Sequence, residues 1–146
     1  IKINEGVLLD FGIEINGYKS DLTRNFFLGR IPPRYKQVFD AVTLAQKESV
    51  AMIKPGIPVC DVDSRARKVL RKFGLAKYFG HSLGHGVGLD IHENPRLSCK
   101  SNALLEPGMV VTVEPGVYIP HQFGIRVEDM VLVTKEGCEV LSGYYN

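Results

Sequence analysis

The dipeptide Asn16-Gly17 constrains this chain more than any other feature. Two residues that tolerate left-handed backbone, set between apolar segments, are the strongest short hairpin signal in the sequence. Hydrophobic patterning places strands at Val7 to Phe11, Ile13 to Tyr18 and Leu22 to Leu28 around it. With Asn16-Gly17 as the turn, Ile15 pairs with Tyr18, and counting back sets Gly12 opposite Asp21. Asp10 and Asp21 then share a face as diagonal neighbours, with Cβ atoms about 7 Å apart, and Gly12 leaves the space between them empty. That separation is too large for the carboxylates to touch and suits a shared cation. The other reading makes Asp21 a surface residue near the turn and Asp10 a strand-end charge.

Two helices follow. Ile31-Pro32-Pro33 opens the first, whose apolar stripe of Val38, Val42, Ala45, Met52 and Ile53 runs until Lys54-Pro55-Gly56 stops it. The second spans about Asp61 to Phe73, with Val62, Ala66, Val69, Leu70 and Phe73 on one face and Gly74 as its cap. A glycine-rich loop and strand then precede the turn Glu106-Pro107-Gly108, the apolar run Met109 to Val113, and a last strand from Ile125 to Val133. The order β, α, β, without a short repeat or an internal linker, predicts one α+β domain over residues 1–146.

Composition narrows the class. Of 146 residues, 45% are hydrophobic and 9% aromatic, which is ordinary globular usage. The net charge of +2 is spread without a basic block, which argues against nucleic-acid and membrane-surface partners. Cys60, Cys99 and Cys138 are odd in number and far apart, as free thiols in a reducing compartment are. With neither a secretory leader nor a long apolar run, the expected location is cytoplasmic. The chain has no initiator Met and opens on Ile1-Lys2-Ile3-Asn4-Glu5-Gly6, already close to a strand, which reads as part of a longer protein.

Chemistry concentrates in His81-Ser82-Leu83-Gly84-His85-Gly86-Val87-Gly88-Leu89-Asp90-Ile91-His92-Glu93. Three of the four histidines fall within twelve residues, on backbone that Gly84, Gly86 and Gly88 allow to bend sharply. The same glycines resemble a phosphate loop only weakly, because no Lys-Ser/Thr follows. His121 stands alone and reads as a structural residue. A second acidic pair, Glu114 and Glu128, interrupts apolar strands, where an unneutralised charge is expensive. Arg126 and Glu128 are two apart and share a face, so an exposed salt bridge is the competing reading. Two Asp, one or more His and two Glu form an oxygen-rich set suited to a pair of divalent ions of the manganese, cobalt or iron type, with amide hydrolysis as the natural chemistry.

Leu9-Asp10-Phe11-Gly12, Ser20-Asp21-Leu22-Thr23-Arg24, the histidine segment through Pro95, Val113-Glu114-Pro115-Gly116-Val117-Tyr118 and Gly124-Ile125-Arg126-Val127-Glu128-Asp129 together resemble the pita-bread metallopeptidases. Within that family the resemblance is greatest to proline dipeptidase (prolidase) and aminopeptidase P. It implies a curved antiparallel sheet with helices on its outer face, here without the N-terminal half of the pseudo-symmetric fold. It implies two divalent ions, manganese or cobalt before iron or zinc, with Asp10, Asp21, His85, Glu114 and Glu128 as ligands. In that pattern Glu114 also carries the proton, His81 and His92 contact the substrate carbonyl, and Tyr118 and Arg126 sit either behind the metal ligands or against the substrate. A hydroxide bridging the metals would hydrolyse Xaa-Pro peptides. The rival readings are a non-catalytic peptide-binding module of the same fold and a methionine aminopeptidase-like enzyme. The expected partner is a like chain, in a homodimer, or the absent N-terminal part.

Overall fold

The structure is a computed structural model and describes residues 1–143. Strand β1 (Glu5–Phe11) pairs antiparallel with β4 (Leu22–Leu28), and the two-residue strands β2 (Glu14–Ile15) and β3 (Tyr18–Lys19) form the tip of this ribbon. Asn16 (φ 53°) and Gly17 (φ 86°) both take the left-handed conformation that a tight hairpin turn needs. The expected strand Ile13 to Tyr18 is therefore split by its own turn. Ile15 pairs with Tyr18, and the same count continues to Phe11 opposite Leu22 and Asp10 opposite Thr23. No residue is inserted, so Asp10 and Asp21 are diagonal neighbours on one face, as expected. The role given to Gly12 needs correction. A Cβ there would lie 1.9 Å from the Ser20 carbonyl oxygen, so the glycine permits a close backbone approach and does not open a space.

Helix α1 (Pro33–Val50) begins with proline at its first position, which has no N–H to waste, and ends three residues before the expected Ile53. Ile53 is buried nonetheless, carried into the core by the turn after the helix. Helix α2 (Val59–Lys72) starts two residues early, and Gly74 takes φ 70° just beyond its end. The helices pack on each other and against a five-stranded sheet. Its strands are β5 (Gly84–Gly86), β6 (Glu93–Leu97), β7 (Val110–Val113), β10 (Asp129–Val133) and β11 (Cys138–Val140), in the order β11-β10-β7-β5-β6. A hairpin of β8 (Gly116–Ile119) and β9 (Phe123–Arg126) completes the fold. Every pairing is antiparallel.

The expected strand Ile125 to Val133 is two strands, broken at Val127 and Glu128, and it is not the last, because β11 follows a turn at Thr134 to Gly137. The break matters for the site. Glu128 donates its backbone N–H to the Thr23 carbonyl (3.3 Å), tying the ribbon to the sheet. The core lies between helices and sheet: Val38, Val42 and Ala45 of α1, Val62, Ala66, Val69 and Leu70 of α2, and Val111, Val113, Val131 and Val133 beneath them. Strand alternation sends Thr112 and Glu128 to the opposite face from these valines. Among the described residues no helix is long and apolar enough to cross a membrane. Cys60, Cys99 and Cys138 are all free.

Candidate metal centre

Three chain segments meet on the face away from the helices. The ribbon brings Asp21, β5 brings His85, and the break before β10 brings Glu128. One ligand atom from each lies within 4.8 Å of the others. The His85 Nδ1–H donates to the Gly86 carbonyl (3.0 Å), a bond only a protonated nitrogen can make. Its Nε2 lone pair is thereby aimed at Asp21 Oδ2 (3.6 Å) and Glu114 Oε1 (3.4 Å). A backbone carbonyl fixing the tautomer of a histidine is the usual device for presenting the other nitrogen to a metal. Thr112 Oγ1 accepts the His85 backbone N–H (3.0 Å) and donates to Glu114 (3.3 Å), joining β5 to the end of β7.

The electrostatics are those of a site short of positive charge. Burial, with the neighbouring Glu128 carboxylate second, pushes Glu114 up to about 8. Burial also raises Glu128 to about 7, against the opposing hydrogen bond from the Thr23 hydroxyl. Asp21 is raised by burial and by the charge of Asp10. His85 and His81 are lowered, burial being the main cause in each, so both stay neutral near pH 7. Arg126 is a cation that faces this cluster, bonded to Asp10, to Tyr118 Oη (3.1 Å) and to Thr23 Oγ1 (3.0 Å), with Glu114 4.0 Å away. Crowded carboxylates held partly protonated beside a neutral imidazole are a donor set that divalent cations stabilise. The spacing of Asp21, His85 and Glu128 is one that a single ion bridges after small side-chain movements, so the residues present fit such an ion.

The structure places the remaining sequence-predicted residues around this centre. Asp10 lies on the same ribbon face, but half exposed and ion-paired to Arg126, outside the close trio. His81 is chained to Tyr118 through Nε2 (3.2 Å), and its Nδ1–H donates to the Ser82 carbonyl (2.8 Å). Arg126 donates to Tyr118, so Tyr118 donates onward to His81. The His92 ring stands edge-on to His85, centroids 4.3 Å apart. A cleft of about 750 Å³ opens over these groups, lined among others by His81, His85, His92, Arg96, Glu114 and Arg126. His121 occupies an exposed turn at φ 60°.

Two readings of the sequence change here. Gly88 lies in a bend, as expected, whereas Gly84 and Gly86 lie within β5. A Cβ on Gly84 would stand 1.9 Å from the Thr112 oxygen and one on Gly86 2.5 Å from the Asn94 oxygen, so these glycines let strands approach closely. Arg126 and Glu128 do not form an exposed salt bridge, since Glu128 is only 2% exposed and Thr23 stands between them. Thr23, Thr112 and Arg24 escaped sequence reasoning. Thr23 and Arg24 sit inside the motif around Asp21, and the alternation of β4, which aims Thr23 at the same face as Asp21, was the available signal. Arg24 donates to the Glu128 carbonyl (2.6 Å) and pairs with Asp129 (2.7 Å) on the side turned from the cleft, where α1 adds Gln46 (2.7 Å).

Comparison with known proteins decides the family. The description of metallopeptidase family M24 matches residues 1–135. This chain belongs to metallopeptidase family M24. An M24 relative, the Xaa-Pro dipeptidase of Pyrococcus horikoshii, is 44% identical over 136 residues, which is 93% of this chain and 39% of that protein. Among solved structures, prolidase from Pyrococcus furiosus superposes with a TM-score of 0.98 at 42% identity, covering 100% of this chain and 43% of that one. The Xaa-Pro dipeptidase from Bacillus anthracis does so with a TM-score of 0.96 at 45% identity, covering 98% and 40%. The expected α+β pita-bread fold is therefore the one the M24 chain adopts. It spans about two fifths of the length of the relatives it matches.

Proposed function

We propose that this chain supplies the metal centre of an exopeptidase that hydrolyses the bond between an N-terminal residue and proline. The observation that carries the reading is the convergence of Asp21, His85 and Glu128 beside Glu114, a carboxyl raised to about 8. Two divalent ions, manganese or cobalt, would be held by Asp10, Asp21, His85, Glu114 and Glu128. When bound, such ions polarise a carbonyl and make water a nucleophile at neutral pH.

The side chains supply the rest. Proline's amide nitrogen has no hydrogen, so it leaves as an amine only if a proton reaches it. Glu114 stands at the cleft, and as an ionised carboxylate it could accept the proton given up by the attacking water and deliver it to that nitrogen. His81 and His92 line the same cleft beside the scissile carbonyl, and His81, whose Nδ1–H is committed to the Ser82 carbonyl, would meet the developing oxyanion through Nε2–H as an imidazolium. Tyr118, held by Arg126, orients His81, and Arg126 also steadies Asp10. Xaa-Pro cleavage is supported by the names of the relatives. In this reading the complete protein works in the cytoplasm as a homodimer, consistent with its free thiols.

The test is turnover of an Xaa-Pro dipeptide and an Xaa-Pro tripeptide by the complete protein, loaded with manganese, then chelated, then reloaded. Activity lost on chelation and regained on reloading is the expected result. Glu114→Gln is expected to lower kcat by about 10²–10⁴-fold, the range of a lost general acid–base. Tight peptide binding without turnover, indifferent to the chelator, would instead identify a recognition module.

A further inference from the structure

The segment Phe79 to Leu83, which carries His81, has no helix or strand of its own. Its backbone is held from α2. Asp63, fully buried, pairs with Arg67 through two bonds, Nε to Oδ2 (2.8 Å) and Nη2 to Oδ1 (3.1 Å). The remaining face of that guanidinium donates to the Phe79 carbonyl (3.1 Å) and the His81 carbonyl (2.6 Å). Asp63 in turn accepts the Leu83 N–H (3.1 Å). Alternate residues of the segment, 79, 81 and 83, are thus fixed to one ion pair a single helical turn long. The side chains repeat the arrangement: the Arg67 guanidinium lies 4.4 Å over the Phe79 ring, whose edge meets the His81 imidazole at 4.9 Å.

We infer that Arg67 and Asp63 are positioning residues for His81, acting on catalysis through that imidazole. Geometry favours this over a role in stability alone. A buried ion pair is a poor source of stability compared with apolar packing, whereas a forked guanidinium fixes two carbonyls in one plane. Four of its five N–H donors are spent on this segment and on Asp63. A histidine that must meet an oxyanion within a fraction of an ångström needs such a frame, since a displacement of about 1 Å costs on the order of 10²-fold in rate.

The inference rests on the oxyanion role proposed for His81, and a double-mutant cycle on the manganese-loaded complete protein separates the two. Arg67→Met is expected to lower kcat for an Xaa-Pro dipeptide by about 10–100-fold, with KM and bound manganese unchanged. In a His81→Ala background the same substitution is expected to have no further effect on kcat. Equal losses in both backgrounds, or loss of manganese in Arg67→Met, would overturn the positioning role. Undiminished kcat in His81→Ala would remove the underlying reading and this one with it. Should Arg67→Met fail to fold, the cycle is run with Arg67→Lys, which keeps the charge beside Asp63 and loses the fork. It is expected to show a smaller loss of kcat that again vanishes without His81, and a persistent loss would overturn the inference.

Discussion

At the scale of single residues the site is governed by carboxylates that burial holds protonated. Glu114 and Glu128, with an ordinary value of 4.5, are raised to about 8 and about 7. Below pH 4.5 the folded and unfolded chains both keep these protons. Between there and about 7 to 8 the folded chain retains protons that the unfolded chain has released, so the metal-free protein loses stability as pH rises through that window. A bound cation reverses the preference by requiring both groups ionised. Manganese binding at pH 6.5 is therefore expected to release protons and to tighten toward pH 8, as calorimetry in two buffers of different ionisation enthalpy would record. A pH-independent affinity would contradict this. Thr23 offers a second check. It is fully buried, donates to Glu128 and accepts from Arg126. Thr23→Val keeps the shape and strands both partners, so a loss of about 1–3 kcal/mol is expected in denaturant unfolding, together with weaker manganese binding. The acidic and histidine residues were legible in the sequence because buried charge needs a reason. Thr23 and Thr112 were not, because a threonine in a β-strand needs none.

At the scale of elements the legible parts are those decided locally. The turn at Asn16-Gly17 fixed the register that puts Asp10 and Asp21 on one face, and the i, i+4 stripes of α1 and α2 marked their buried sides. What local pattern does not reveal is which backbones touch. Gly12 reads as empty space and Gly84 and Gly86 as points where the chain bends, yet each is a point of contact with a strand distant in sequence or across the hairpin. Gly84→Ala is accordingly expected to push β5 from β7, shift His85, and abolish manganese binding, with the secondary structure retained in circular dichroism. A variant with full metal content would show that the strands have more room than their spacing indicates. The helices answer to ordinary packing. Leu70→Ala removes a fully buried side chain from α2 and is expected to cost about 2–5 kcal/mol of stability.

At the scale of the whole molecule, the ribbon of β1 and β4 has two different faces. One carries Asp10, Thr23 and the approach to the cleft. The other presents Val7, Leu9, Phe11, Phe26 and Leu28, most of them exposed, with Ile1 beside a shallow apolar hollow. An apolar face of this kind favours association. The isolated 146-residue chain is expected to self-associate at micromolar concentration in sedimentation, and a clean monomer with a cooperative melt would contradict that. The catalytic reading stands or falls on the metal. The decisive measurement is the manganese content of the complete protein by elemental analysis after equilibration and desalting, beside Asp21→Asn and Glu128→Gln. Two equivalents per chain, lost in both variants, is the predicted result. A chain that retains no metal, or that keeps two equivalents when either carboxylate is replaced, would contradict the assignment of this cluster as the metal centre.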